Sequence, residues 1–148
     1  MCGGARQVGK TWTINEFGNS DFRRAHYLAF DRTPSAGSAF TQGKGPEDTL
    51  KSLSLLFGAD IDPAHDLLIL DEIQECPQAL TSLKHFAEEI PQLPICCAGS
   101  HIGLTLSDAS FPVGKVDILD MYPMGFWNRK SSALRPWRSF AVAGCFRL

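Results

Sequence analysis

Residues 4–11 read Gly-Ala-Arg-Gln-Val-Gly-Lys-Thr, a complete G-x-x-x-x-G-K-[ST] phosphate-binding loop, and the residues that follow can continue as a helix. The glycines let the backbone turn tightly enough for successive N–H groups to face phosphate oxygens. Lys10 supplies a positive charge, the Thr11 hydroxyl is a ligand for Mg²⁺, and the helix dipole adds to the same place. A nucleoside triphosphate site is therefore predicted. Its predicted residues are Gly4, Ala5, Arg6, Gln7, Val8, Gly9, Lys10 and Thr11.

A second motif stands at residues 67–72, where four aliphatic residues lead into two acids, Leu-Leu-Ile-Leu-Asp-Glu. Such a run is typical of a buried parallel strand that delivers carboxylates at its C-terminal edge, and it has the form of a Walker B motif. Asp71 is predicted to lie on the Mg²⁺ side, and Glu72 to polarise the water that attacks the γ-phosphate. The alternative is a core strand with an acidic exit loop, but the phosphate-binding loop ahead of it favours the Walker B interpretation.

Length and composition predict one cytoplasmic domain. A chain of 148 residues can bury one sizeable core and leaves little room for a second. No apolar run approaches a membrane-spanning length, and the start lacks the basic region and apolar core of a signal peptide. The five cysteines form no C-x-x-C pair and no cluster with His at metal-ligand spacing. We interpret them as reduced thiols, mostly in the core, and the four His residues as ordinary.

Hydrophobic periodicity predicts strands that alternate with helices, which is typical of an α/β layer fold with a mainly parallel sheet. The predicted strands are residues 25–30, 67–71 and 93–98. The predicted helices run from Lys10 to about Phe17, where Gly18 and Asn19 are the stop signal, from Pro46 to Gly58, and from about Pro77 through Ile90. Residues 33–45, rich in Gly, Ser, Thr and Pro, are predicted to form a loop.

The first strand of this fold is predicted to be absent or shortened. A phosphate-binding loop normally follows the C-terminal end of a central strand, but only Met1, Cys2 and Gly3 precede Gly4. A start site downstream of the ancestral one, or a chain fragment, would explain this.

Ser100 is a third candidate, because Gly99-Ser100 follows the predicted strand 93–98. A hydroxyl at the C-terminal edge of a neighbouring strand can reach the attacking water or the γ-phosphate. Gly-Ser after a strand is also a common turn or helix N-cap. Its position after the acidic strand favours the functional interpretation.

In combination these motifs resemble the prokaryotic AAA-type ATPases, P-loop proteins with an extra central strand that carry a C-terminal domain of unknown function. The resemblance covers about residues 3–126 and rests on residues 4–11, 70–77 (Leu-Asp-Glu-Ile-Gln-Glu-Cys-Pro), 98–100, 110–115 (Ser-Phe-Pro-Val-Gly-Lys) and 121–126 (Met-Tyr-Pro-Met-Gly-Phe). It implies a three-layer P-loop NTPase fold of the AAA+ type, with ATP and Mg²⁺ as ligands and ATP hydrolysis as the activity. By this resemblance, Lys10 and Thr11 are Walker A residues, Asp71 and Glu72 are the Walker B pair, and Ser100 occupies the sensor-1 position.

The end of the chain differs from the rest in composition. After Phe126 there are five basic residues and no acid, where the family would continue with an acidic, helix-forming run. We therefore predict a truncated ATPase core over residues 1–126 and a basic tail over residues 127–148 outside the family fold, and a frameshift would explain the tail. Contact of Trp127 and Trp137 with nucleic acid is less favoured than an unstructured tail.

Three functions remain open at this point. The first is an Mg²⁺-dependent ATPase that drives a conformational change, the second a nucleotide-binding switch or adaptor without appreciable turnover, and the third a truncated remnant without function. Relatives of this type often assemble, so a homo-oligomer or a protein partner is a further expectation. No arginine finger is identified. Lys115 is better interpreted as a solvated lysine in a hairpin, and Arg6 as a surface residue or as a member of a pair between two elements.

Overall fold

The computed structural model describes residues 2–3, 9–41, 43–99 and 119–120. Its main sheet has three parallel strands, β2 (Arg24–Ala29), β3 (Asp66–Asp71) and β4 (Ile95–Cys97), in the order β2-β3-β4. A short strand β1 (Cys2–Gly3) pairs in parallel with β5 (Leu119–Asp120). The predicted α/β fold with a parallel sheet is confirmed, and its first strand is two residues long.

The described residues form three α-helices, α1 (Lys10–Asp21), α2 (Pro46–Phe57) and α3 (Pro77–Glu89). A proline opens α2 and another opens α3, where its fixed φ suits a first helical turn. Gly58 ends α2 in the left-handed region, with φ 63°, and its N–H donates to the Leu55 carbonyl. The described part of the chain contains no helix long and apolar enough to cross a membrane.

The predicted loop over residues 33–45 is partly ordered as a 3₁₀ helix, Pro34–Phe40, and a second 3₁₀ helix, Ile73–Glu75, follows β3. Ala36, Ala39 and Phe40 are buried in the first of these, so their contacts with the core order a segment whose composition is typical of a loop. The predicted basic tail lies outside the described residues, so the division at residue 126 stays a prediction.

The core has two halves, one on each face of the sheet, because alternate side chains of β3 face opposite sides. On one face, Leu67 and Ile69 pack with Ile14 of α1. On the other, Leu68 and Leu70 belong to a larger cluster that includes residues of α2 and α3. All six residues of β3 are buried, which explains the continuous apolar run in its sequence. Cys76, Cys96 and Cys97 are also buried.

Helix α1 runs to Asp21, so the prediction that Gly18 and Asn19 end it is wrong. Gly18 is buried inside the helix, facing the sheet. A Cβ atom added there would lie 2.6 Å from the Ala25 Cβ and 3.2 Å from a methyl carbon of Leu67. Glycine is required at this position because the helix backbone passes so close to β2 and β3, and not because the helix stops.

We expect Gly18→Ala to destabilise the protein by about 1 kcal/mol. Overpacking costs about 1–3 kcal/mol, which exceeds the gain of about 1 kcal/mol in helix propensity. The Ala25 Cβ is fixed to the backbone of β2 and cannot move aside cheaply. Urea unfolding measures the change, with Asn19→Ala, an exposed position of the same helix, as the control. A more stable Gly18→Ala protein would contradict this packing argument.

A buried polar pair joins β2 to the start of β3. The His26 Nε2 atom lies 3.0 Å from the Asp66 Oδ2 atom, and the two side chains are 6% and 2% exposed. The N–H of Asp62 donates to the same oxygen at 3.0 Å. Burial by itself raises the pKa of Asp66, but the hydrogen bonds from Asp62 and His26, with attraction to His26, outweigh it and hold the pKa below its ordinary value.

Because the folded pKa of Asp66 is lowered, its ionised form stabilises the fold above the unfolded-state pKa, and this contribution disappears as the pH falls through the folded value. We expect Asp66→Asn to lower the free energy of unfolding by about 1.5–3 kcal/mol at neutral pH, the usual size for hydrogen bonds to a charged group. The difference from wild type should shrink as the pH falls below about 4. Urea unfolding across this range tests it, with exposed Asp60→Asn as the control; a gap that widens in acid would refute it.

Candidate functional site

The end of β3 and the first turn of α1 meet at one point of the fold. Leu67 and Ile69 face α1, so the two-residue period of a strand puts Asp71 on the same face. Asp71 is buried, with 6% of its surface exposed. Thr11, the second residue of α1, donates a hydrogen bond from Oγ1 to Asp71 Oδ2 at 2.8 Å. The structure thus brings together two residues that the sequence analysis selected independently, one from each motif.

The Asp71 carboxylate accepts hydrogen bonds at both oxygens. Oδ2 receives the Thr11 hydroxyl and also the Tyr27 hydroxyl, the latter at 2.6 Å. Oδ1 receives the backbone N–H of Glu72 at 2.9 Å. These three donors satisfy a carboxylate that has little access to water.

Tyr27 contacts the site, although neither sequence motif predicted it. In the register of the sheet, Tyr27 on β2 lies beside Ile69 on β3. Its Cα is therefore two residues nearer the start of the sheet than Asp71, whose carboxylate it contacts. Two strand residues span about 6–7 Å, a gap that a tyrosine leaning along the strand can bridge. Nothing local in the sequence marks this contact, because it depends on which strand neighbours β3.

Tyr27 acts as a hydrogen-bond donor at neutral pH. Partial burial, the hydrogen bond to Asp71 and the negative charge of Asp71 together raise the pKa of the Tyr27 phenol far above its ordinary value. The phenol therefore keeps its proton, and the proton is directed at Asp71.

Glu72 has an uncommon backbone conformation, with φ 49° and ψ 46°. Among the described residues it is the one non-glycine residue with a positive φ. The left-handed region costs a residue with a side chain about 1–2 kcal/mol, and such strain concentrates at functional positions. The turn leads into the 3₁₀ helix Ile73–Glu75, and from there the Gln74 side-chain amide donates to the Glu72 carboxylate.

Gly9 and Lys10 begin α1. Gly9 is the N-cap, with φ 88°, and its carbonyl accepts both the backbone N–H and the hydroxyl of Thr13 at 3.0 Å. Lys10, the first residue of the helix, is half-buried. The other predicted site residues, Gly4, Ala5, Arg6, Gln7, Val8 and Ser100, lie outside the described residues, so their roles stay predictions.

The sequence of this chain matches a known protein family. The model of the AAA domain matches residues 2–129, which is most of the chain. The chain belongs to the AAA domain family. Comparison with curated proteins and with solved structures gave no match. The AAA-type part of the resemblance is confirmed, and membership of the family indicates nucleotide binding; the match does not extend to a C-terminal domain of unknown function.

The described part of the AAA domain has a cleft that lies away from the predicted site residues. No group of three or more His, Cys, Asp or Glu side chains in its described part is arranged to hold a metal ion. An open cleft of about 610 Å³ lies between the 3₁₀ helix Pro34–Phe40 and the start of α3. Its described lining is Phe30, Asp31, Pro34, Gly37, Thr41, Glu75, Cys76 and Gln78. This lining contains none of the predicted site residues, so the cleft is distinct from the contact between Thr11 and Asp71.

The strain at Glu72 is measurable by comparing two substitutions. Glu72→Ala and Glu72→Gly both remove the carboxylate and its bond to Gln74, but only glycine adopts a positive φ without steric cost. We expect Glu72→Gly to be more stable than Glu72→Ala by about 1 kcal/mol in urea unfolding. At Lys84, an exposed position within α3, the order should reverse, because glycine costs about 1 kcal/mol in a helix. The same order at both positions would show that Glu72 is not strained.

Proposed function

We propose that this AAA domain binds ATP with Mg²⁺ and hydrolyses the γ-phosphate. The observation that carries the proposal is the 2.8 Å hydrogen bond from Thr11 to Asp71. It joins the predicted Walker A hydroxyl to the predicted Walker B carboxylate at the N-terminal end of a 12-residue helix. Such an end favours anionic groups, because its backbone N–H groups and its dipole both point at them.

The residues at this point suit a triphosphate with its cation. Lys10, at the start of α1, would neutralise charge on the β- and γ-phosphates together with the backbone N–H groups of residues 4–11. Hydroxyl and carboxylate oxygens are the ligand types that Mg²⁺ prefers, so Thr11 and Asp71 fit this ion, Asp71 through a bound water. When bound, Mg²⁺ offsets the charge of the phosphate oxygens.

Glu72 is the proposed base of the hydrolytic step. The oxygen of a water molecule would attack the γ-phosphorus while the bond to the β–γ bridging oxygen breaks, and the water proton would pass to the Glu72 carboxylate. ADP and inorganic phosphate are the products. Ser100, at the proposed sensor-1 position, would contact the attacking water or the γ-phosphate.

A nucleotide-dependent switch with negligible turnover is the second candidate function. The observation that favours it is the hydrogen bond from Gln74 to Glu72, which engages the carboxylate that hydrolysis would use. In either case we propose that nucleotide binding changes the conformation of a partner, which is a second copy of the chain or another protein. The cytoplasmic location stays a prediction from the sequence.

Binding and turnover of ATP are tested in the same preparation. We expect Mg²⁺·ATP to raise the thermal unfolding midpoint of the wild-type chain, because a ligand that binds only the folded state stabilises it; a concentration of 100 Kd contributes about 2.7 kcal/mol. Lys10→Ala should abolish this rise. Glu72→Gln should keep the rise but lower phosphate release by about 10²- to 10⁴-fold.

Glu75→Gln is the matched control for the turnover measurement, since Glu75 is an exposed acid three residues beyond Glu72. Its phosphate release should equal that of wild type. A rise in midpoint without phosphate release would support the switch. No rise with ATP in the wild-type chain would refute nucleotide binding altogether.

A further inference from the structure

We propose that Tyr27 is a positioning residue for Mg²⁺, acting through Asp71 and Thr11. This inference rests on the proposed function, because it concerns the cation of the same site. It assigns a role to a residue on β2, outside both sequence motifs. The hydrogen bond from the Tyr27 hydroxyl to Asp71 Oδ2, at 2.6 Å, is the starting observation.

Tyr27 and the Glu72 backbone hold the Asp71 carboxylate from two sides. The Glu72 N–H donates to Oδ1 at 2.9 Å, and the Tyr27 hydroxyl donates to Oδ2. The torsion that rotates a carboxylate is broad and poorly fixed by its own sterics. With a donor on each oxygen, the plane of the Asp71 carboxylate is fixed.

A fixed Asp71 in turn fixes the direction of the Thr11 hydroxyl. A hydroxyl has one proton and two lone pairs, and it rotates to suit its partners. Thr11 gives its proton to Asp71 Oδ2, so its lone pairs point away from that oxygen. These lone pairs are what a cation would bind, and their direction is set before the cation arrives.

Tyr27 is well placed for this role because its partly buried ring packs against the core. It packs against the apolar cluster of Ile14, Leu67, Ile69, Cys96 and Ala98. Its strand pairs with β3 in continuous register from Arg24 opposite Asp66 to Ala29 opposite Asp71. The phenol oxygen is thus positioned by the same sheet that carries Asp71.

Without the phenol hydroxyl, Asp71 keeps its charge but loses one of the bonds that orient it. The cation site should then bind Mg²⁺ more weakly, while the phosphate contacts of Lys10 and the loop are unaffected. The defect is therefore one of metal affinity, and excess Mg²⁺ should overcome it. A purely structural role for Tyr27 would lower thermal stability but leave the dependence on Mg²⁺ unchanged.

Tyr27→Phe tests this proposal, because it removes the hydroxyl and keeps the packed ring. The measurement is the thermal midpoint of the full chain with a fixed amount of non-hydrolysable ATP analogue, titrated with Mg²⁺. We expect the Mg²⁺ concentration for half of the stabilisation to rise about five- to tenfold, which corresponds to the loss of about 1–1.4 kcal/mol, the size of a typical hydrogen bond. At saturating Mg²⁺ the stabilisation should match that of wild type.

Ser20→Ala is the control, since it removes an exposed hydroxyl from the far end of α1 and should leave the Mg²⁺ titration unchanged. An unchanged or lower Mg²⁺ requirement in Tyr27→Phe would overturn the inference while leaving nucleotide binding intact. A defect that saturating Mg²⁺ does not restore would also overturn it. Absence of any stabilisation in the wild-type chain would instead refute the proposed function, and this inference with it.

Discussion

Burial of β3 on both faces is the constraint on which the rest of the structure depends. The strand lies between β2 and β4, with α1 over one face and the cluster of α2 and α3 over the other. Its interior has no access to water, so its side chains there must be apolar. The two polar residues it carries, Asp66 and Asp71, stand at its two ends.

Each of these carboxylates is stabilised by donors from neighbouring segments, and the two lie on opposite faces of the sheet. Asp66 faces the side of α2, where its partner His26 also contacts the Phe57 ring, with centroids 5.3 Å apart. Asp71 faces the side of α1 and is held by Thr11, Tyr27 and the Glu72 backbone. The polar contacts at the Asp66 end of β3 therefore stabilise the fold. At the Asp71 end, residues of the two sequence motifs come into contact.

Local patterns in the sequence were sufficient to predict where the main helices and strands lie, and one contact of the candidate site. Three local signals each act within a few residues: the apolar run before Asp71, the prolines that open α2 and α3, and Gly58 after α2. The strand and the helix ends that they mark could therefore be predicted. The meeting of Thr11 and Asp71 followed from the two motifs. Gly18 was misinterpreted because a glycine required by tertiary packing looks, in sequence, like a helix stop. Tyr27 was missed because its role depends on strand order and register, which no local pattern encodes.

Gly18 also determines how precisely the far end of α1 is placed. The helix rises about 1.5 Å per residue, so Thr11 lies about 10 Å from the point where Gly18 touches the sheet. A tilt of about 10° about that point would displace Thr11 by about 2 Å, enough to break its hydrogen bond to Asp71. The close approach of Gly18 to the sheet therefore limits how far α1 can tilt. In this way a position two helical turns away controls the distance between Thr11 and Asp71.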